Sequence, residues 1–228
     1  MTPTGRDQAL RFIFHHHPMN PQIIQKNQVK TNVSYLNYRY PRRVPHDFYP
    51  TPPEAVRALL SVETFEGSIW EPACGDGAIS KVLLAAGLDV ISTDLIDRGY
   101  GIGGQDFLKS DRPLAKHIIT NPPYGTHGLA DAFVRRALIH CRKTGGSVAM
   151  LLNLRSLCHP DRMKKFTKTP PTVIYALDEL VCWPEGKPAS PQARIAQQQY
   201  YWAVWHPGKV ERPRFWWLST KEFRKSPL

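Results

Sequence analysis

The sequence predicts an α/β fold, a mostly parallel central sheet flanked by helices. Three observations carry this. Between residues 46 and 206, short apolar runs alternate with helical stretches. Alternation of that kind builds βαβ units, whose crossover helices cover both faces of a sheet. Two turns, one rich in glycine and one rich in proline, fall where apolar runs end, and 228 residues suit one such domain with short extensions.

The elements follow in order. Residues 1–45 are rich in Asn, Gln, Pro, Lys and Arg, with Asp7 as their one acid. They show no sustained helical or strand period, which predicts a flexible basic arm. The run His15-His16-His17 reads as part of that tail. Pro52 to Val62 opens with prolines, which suit a first helical turn, and continues E-A-V-R-A-L-L. Ser68 to Ala73 reads as a strand, Ala78 to Ala86 as a helix ended by Gly87, and Asp89 to Thr93 as a second strand. Lys116 to Thr120 is a further strand. Leu129 to Cys141 places Phe133, Ala137 and Leu138 on one helical face. Ser147 to Leu152, Thr172 to Leu177 and Tyr200 to Trp205 read as three more strands, with Trp202 and Trp205 in the core. The last two have no clear helix between them. Their connection, Trp183 to Gln199, is long and holds three prolines, a length that suggests a functional loop. Residues 207–228 read as a basic, aromatic tail.

Composition bounds the function. The formal net charge is +11, which favours polyanionic partners, nucleic acid first. Cys74, Cys141, Cys158 and Cys182 form no C-x-x-C pair, and no Cys/His cluster has zinc-ligand spacing, so no metal is expected. The cysteines read as reduced thiols of a cytoplasmic protein. No secretory leader and no membrane span is expected.

The first chemical signal is Glu71-Pro72-Ala73-Cys74-Gly75-Asp76-Gly77, which closes a strand and opens a helix. Glycines let the backbone curl against a ligand, and the helix start offers free amides. A pyrophosphate site would want G-x-G-x-x-G. Here Glu71 and Asp76 would repel a pyrophosphate and suit a ligand with an ammonium and a sulfonium. Asp94, with Leu95 beside it, ends the next strand, where an acid can accept from ribose hydroxyls. Gln105-Asp106-Phe107 follows, and an acid beside an aromatic can hold an adenine amine and its ring face.

The second signal is Asn121-Pro122-Pro123-Tyr124, directly after the strand Lys116 to Thr120. Prolines stiffen the backbone and donate no amide hydrogens. The Asn121 side chain and the Pro122 carbonyl then offer two acceptors to a planar amine. Holding both amine hydrogens frees its lone pair for attack on a methyl carbon. Tyr124 is expected to stack on a base flipped out of its helix.

These residues resemble the class I S-adenosylmethionine-dependent amino-methyltransferases, in particular the N6-adenine DNA methyltransferases. Phe48-Tyr49-Pro50-Thr51-Pro52 is similar to the family segment that lines the methionine end of the cofactor. The resemblance spans roughly residues 46 to 206 and implies a Rossmann-like fold. It assigns Tyr49, Pro50, Thr51, Glu71, Pro72, Ala73, Cys74, Gly75, Asp76, Gly77, Asp94, Leu95, Asp106, Phe107 and Asn121 to S-adenosylmethionine. Catalysis falls to Asn121, Pro122, Pro123 and Tyr124, and the implied substrate is double-stranded DNA. The chain looks like the small phage and prophage enzymes, which work in a host cytoplasm without a separate target-recognition domain. Arg155, Ser156, Trp183, Lys187 and Arg194 are the expected nucleic-acid contacts. Similar N-P-P-Y turns occur in enzymes that methylate RNA amines or a protein glutamine. A non-catalytic nucleic-acid-binding module on the same fold is the remaining alternative.

Overall fold

The computed structural model describes residues 45–125, 128–178, 180–186, 199–208 and 210–224. The expected basic arm, apart from Pro45, lies outside them, as do Lys187 and Arg194. The chain separates into two units, residues 1–41 and 42–228, and every element described belongs to the second.

Its centre is a seven-stranded sheet. The strands are β1 (Ile69–Glu71), β2 (Val90–Ser92), β3 (His117–Thr120), β4 (Val148–Asn153), β5 (Val173–Leu177), β6 (Tyr200–Trp205) and β7 (Arg214–Leu218). Their order across the sheet is β2-β1-β3-β4-β6-β5-β7. β1, β2, β3 and β4 run parallel; β6 is antiparallel to both its neighbours, and β7 is parallel to β5. The antiparallel β6 explains why no helix is needed between β5 and β6: reversal requires no crossover.

Helices α1 (Pro53–Val62), α2 (Ala78–Ala85), α3 (Leu129–Thr144) and α4 (Pro160–Lys168) flank the sheet. Alternate residues of the inner strands divide between two cores. On β6, Tyr200, Trp202 and Val204 join Ala55, Leu59, Ile79 and Leu83 of α1 and α2. Tyr201, Ala203 and Trp205 join Phe133, Val134 and Ala137 of α3. With both faces covered, β6 is buried at every position, so its sequence is apolar throughout rather than alternating. Trp202 and Trp205 are core residues, and their indole N–H groups donate to the carbonyls of Ala55 and Thr169 at 3.0 and 3.1 Å.

Two elements depart from the expectation. α4 was not anticipated, because it is strongly polar and buries only Arg162 among its residues. Its anchor is ionic: Arg162 Nη1 lies 2.6 Å from Asp131 Oδ1 of α3, and Lys165 pairs with the other oxygen. The sheet also continues past residue 206, where the tail was expected to begin. Arg214–Leu218 pairs with the whole of β5, from Val173↔Arg214 to Leu177↔Leu218. Asp178 ties down the segment beyond it, accepting from the Thr220 amide at 2.5 Å and from Ser219 Oγ at 2.8 Å.

The topology positions the site. From β1 the chain passes to β2 on one side, then returns to β3 on the other. Open α/β sheets bind ligands at such a switch, beyond the carboxyl ends of the strands. Glu71 ends β1, and Asn121 follows β3.

Two buried histidines make the fold acid-sensitive. Ser147 N–H donates to His117 Nδ1 at 2.9 Å, so the ring proton sits on Nε2, 2.9 Å from the Glu66 carbonyl. His140 is buried against Trp70 and Phe107. Burial, above all, lowers the pKa of both below 6.5. The unfolded chain therefore binds protons that the fold excludes. That stabilisation is complete above pH ~6.5 and is lost as pH falls toward the depressed folded values. Burial works to raise Glu63, but hydrogen bonds from His206 and Tyr175 outweigh it and hold the carboxyl below 4.5. Its contribution goes in turn as pH drops through that range. In thermal midpoints measured against pH, the histidines should give a first fall between pH ~7 and ~5 and Glu63 another below ~4.5. The buried Glu71, its carboxyl pushed up to about 8, opposes the first step by favouring the fold as pH drops below that value. His117→Gln should flatten the first step; an unchanged profile in that variant would contradict the assignment.

Candidate cofactor and methyl-transfer site

A cavity of about 560 Å³ opens at the switch between β1 and β3. Its walls come from segments far apart in sequence: residues 46–51, the glycine turn after β1, the end of β2, the 105–108 turn, the turn after β3, and the start of α3.

The glycine turn is shaped by backbone geometry. Gly75 has φ +58° and Gly77 φ +83°, a left-handed conformation that β-carbons disfavour. A Cβ on Gly75 would lie 2.9 Å from Phe48, and one on Gly77 would lie 2.5 Å from Tyr100. The turn is thus covered by two aromatic rings, with the Arg98 guanidinium 4.2 Å from the Phe48 ring centre.

Five carboxyls border the cavity: Asp47, Glu71, Asp76, Asp94 and Asp106. Asp94 Oδ2 accepts from Gly75 N–H and Oδ1 from Ile96 N–H, each at 2.8 Å, so the acid at the end of β2 also fixes the glycine turn. Asp106 Oδ1 accepts from Leu108 N–H at 3.0 Å. Glu71 is fully buried and meets both the amide and hydroxyl of Ser80 on α2. Desolvation pushes its carboxyl up to about 8 against those hydrogen bonds, with Asp94 and Asp76 adding to the rise. Asp76 Oδ1 is buried and has no hydrogen-bond partner. A buried acceptor without a donor is costly, and a cationic ligand would relieve it.

Asn121 sits where the wall turns. Its Nδ2 donates to the Tyr49 carbonyl at 3.2 Å and to Thr51 Oγ1 at 3.0 Å. A carbonyl can only accept, so the amide orientation is set. Tyr124 donates to Asn121 Oδ1 at 2.9 Å and lies 3.1 Å from the Leu151 carbonyl. Asp47 Oδ2 accepts from Gly125 N–H at 2.6 Å. Residues 47–51 and 121–125 are therefore stitched together by both backbone and side chains. His46 and Asp47 hold positive φ values of 57° and 51°, local strain at the cavity rim.

Most of the residues singled out from sequence meet here. Tyr49, Pro50, Thr51, Glu71, Pro72, Ala73, Cys74, Gly75, Asp76, Asp94, Leu95, Asp106, Phe107, Asn121 and Pro123 all line the cavity. Gly77, Pro122 and Tyr124 do not. Tyr124 was expected to show a flat face for stacking; its ring instead packs between the two cores, and its hydroxyl holds Asn121. Arg155 and Ser156 form a turn after β4, and Trp183 is half-buried; none of the three borders the cavity. Asp47, Arg98, Leu129 and Phe133 also line the cavity and were not singled out from sequence. Asp47 adjoins the Phe48–Pro52 segment, which is the signal that points to it. The α3 pair carries only an apolar helical pattern, which core residues share. Among the described residues no cluster could hold a metal ion, and no helix is long and apolar enough to cross a membrane.

No family model and no curated protein matches the chain by sequence. Solved structures match by fold. One is a Listeria monocytogenes protein described as a class I S-adenosylmethionine-dependent methyltransferase, with TM-score 0.53 and 17% identity over 78% of this chain and 67% of that one. A second is a type I restriction enzyme modification subunit from Vibrio vulnificus, with TM-score 0.51 and 15% identity over 75% of this chain and 47% of that one. A third is described as an RNA methyltransferase from Pyrococcus horikoshii, with TM-score 0.51 and 17% identity over 71% and 88%. The architecture is the Rossmann-like fold of class I methyltransferases.

Proposed function

We propose that the chain is an S-adenosylmethionine-dependent methyltransferase acting on the N6 amine of adenine in DNA. The observation that carries this reading is the Asn121 carboxamide, locked by Tyr49, Thr51 and Tyr124 at the edge of a carboxyl-rich cavity. The residues fit the cofactor's chemistry. The four bordering aspartates, Asp47, Asp76, Asp94 and Asp106, with the orphaned oxygen of Asp76, disfavour a pyrophosphate and favour an ammonium and a sulfonium. Asp94 is the proposed partner of the ribose hydroxyls and Asp106 of the purine amine. Phe107, expected to face the base, is 2% exposed with its ring packed on Trp70 and Phe133, so it supports that wall from behind. When bound, S-adenosylmethionine supplies an electrophilic methyl group.

This chain's residues do the rest by positioning and electrostatics. Asn121 Nδ2 is fully engaged, so Oδ1 is the atom presented, and Tyr124 occupies one of its two acceptor sites. The other can take an N–H of a planar amine. The Pro122 carbonyl is the proposed second acceptor. An amine held through both hydrogens would have its nitrogen lone pair freed from the ring and turned toward the methyl group that bound S-adenosylmethionine would supply. One amine proton then leaves to solvent. A base in duplex DNA must leave the stack to reach Asn121. Arg155, Ser156, Trp183, Lys187 and Arg194 are proposed contacts to the surrounding strand, and a host-cell cytoplasm is the proposed setting. Among the structural neighbours, the type I restriction enzyme modification subunit accords with a DNA substrate and the RNA methyltransferase with an RNA one.

The test offers DNA, total RNA and protein side by side with tritiated cofactor, then digests the labelled polymer. Label recovered as N6-methyldeoxyadenosine is the expected result. Label in RNA or in a glutamine would move the substrate; label in none would overturn the enzymatic reading. The cofactor assignment has its own check. Asp76→Asn keeps the size of the side chain and removes the charge. It should weaken S-adenosylmethionine binding by roughly tenfold, within the range of a charge-assisted hydrogen bond, measured by calorimetry.

A further inference from the structure

The outer edge of β7 is the least protected surface among the described residues. Natural sheets blunt their edges with charges, prolines or bulges. β7 reads Arg-Phe-Trp-Trp-Leu, and Phe215, Trp216 and Trp217 are 44, 57 and 83% exposed. No described strand pairs with its far side. We propose that this edge binds β7 of a second copy of the chain, antiparallel and centred on Trp216.

Backbone direction fixes the register. Arg214 N–H donates to the Thr172 carbonyl at 3.0 Å, so Arg214 faces β5. By the two-residue period, Trp216 and Leu218 also face β5, and Phe215 and Trp217 direct their N–H and C=O groups outward. In an antiparallel pair centred on Trp216, Phe215 lies opposite Trp217 of the second copy. Those are the outward residues, so each such pair exchanges two hydrogen bonds, four in all about the two-fold axis.

The side chains agree with that register. Phe215 and Trp217 already meet edge to face, with ring centres 5.3 Å apart. The pairing brings two such sets together in a four-ring cluster on one face. On the other, Trp216 meets its own copy and Arg214 meets Leu218, so no like charges are opposed. At ~150–250 Å² per aromatic side chain, the stated exposures leave roughly 280–460 Å² per copy to bury. Both copies together give about 550–900 Å², below the ~1,200 Å² at which stable interfaces begin, which predicts a weak, transient dimer in the micromolar range. The segment is also a poor match to a duplex alone, because nucleic acid cannot satisfy the outward amides and carbonyls of a strand in register.

The inference is independent of methyl transfer. Sedimentation of the full chain at ~1–100 µM should show a concentration-dependent dimer that persists or tightens as salt is raised, because screening relieves repulsion between chains of net charge +11. Trp217→Lys, at the most exposed position, should weaken the dimer at least tenfold and leave the thermal midpoint unchanged. Mixing Phe215→Glu with Trp217→Lys should restore pairing, because those positions face one another only in this register. Trp216→Cys should cross-link to itself on oxidation, at a peptide distinct from native Cys158, whereas Phe215→Cys alone should not. A wild-type chain monomeric at ~100 µM, or a dimer unmoved by Trp217→Lys, overturns the proposal. So does a monomer that loses DNA affinity in Trp217→Ser, with binding that weakens steeply in salt, since that assigns the strand to nucleic acid.

Discussion

Asn121→Ala should lower the rate of methyl transfer by about 10²–10³-fold, the range for removing one preorganised polar group at a reacting centre. Cofactor affinity should change far less. The variant loses the Oδ1 acceptor proposed to hold the amine, and it also releases the ties to Tyr49 and Thr51 that brace the cavity wall. The second loss acts on binding and the first on turnover, so the two separate in kinetics: a collapse in kcat with a modest rise in the cofactor KM. Tyr124→Phe distinguishes touching from positioning. Its hydroxyl reaches Asn121 and Leu151 and does not border the cavity. Removing it should reduce kcat several-fold and leave KM for the cofactor unchanged. If Asn121→Ala retained a tenth of wild-type turnover, Asn121 would not be the amine acceptor. Equal losses in both variants would point to collapse of the turn.

The cavity shows which parts of a site a sequence can carry. Glu71 to Gly75, Asp94 and Asn121 belong to short patterns just after strands, and Asp106 caps a short turn; in each, residue type and turn geometry are coupled, and all of them line one cavity. Tyr124 shows the limit. The pattern marks it as important, but which way its ring points depends on Leu151 and Tyr200, elements that come later in the chain. Glu71 is a second case. Its carboxyl is legible as an acid near a ligand, yet its burial and its grip on Ser80 follow from how α2 packs on β1. Leu129 and Phe133 line the wall through the placement of α3 alone, and an apolar helical face gives no hint of that.

The fold follows the same division. Strands buried on both faces, β4 and β6 above all, announce themselves as continuous apolar runs. β7 does not, because an edge strand with four exposed residues satisfies neither the buried nor the alternating pattern. α4 escapes for a different reason. Its stability comes from Arg162 and Lys165 reaching one carboxylate on α3, a contact between residues more than thirty apart. Its main apolar contact, Phe166 edge to face on Trp205, is too little in a nine-residue polar stretch to read as a buried face from sequence.

Gly146→Ala should produce the largest loss of stability at any position outside the cavity. A Cβ there would lie 1.6 Å from the Lys116 carbonyl oxygen and 2.5 Å from its carbon. These are backbone atoms, so no rotamer change relieves the clash, and the turn must move off β3. That movement breaks a tight set of bonds. Ile118 N–H donates to the Ser147 carbonyl at 3.0 Å, Ser147 N–H to His117 Nδ1 at 2.9 Å, and Thr144 Oγ1 to the Lys116 carbonyl at 2.7 Å. Overpacking of this severity costs about 3 kcal/mol or more, which for a chain of this size lowers the thermal midpoint by roughly 6–12 °C. The neighbouring Gly145 provides the control. Its φ is +67°, but nothing lies within 4 Å of its would-be Cβ, so Gly145→Ala should cost only the ~1–2 kcal/mol of a left-handed side chain. The order of the two variants therefore separates close approach from backbone handedness. If Gly145→Ala were the more damaging, the packing of the α3 terminus on β3 would be wrong. The same junction leads along β3 to Asn121 four residues beyond His117, so Gly146→Ala should also impair turnover at temperatures where the fold persists, by shifting the strand that carries the amine acceptor.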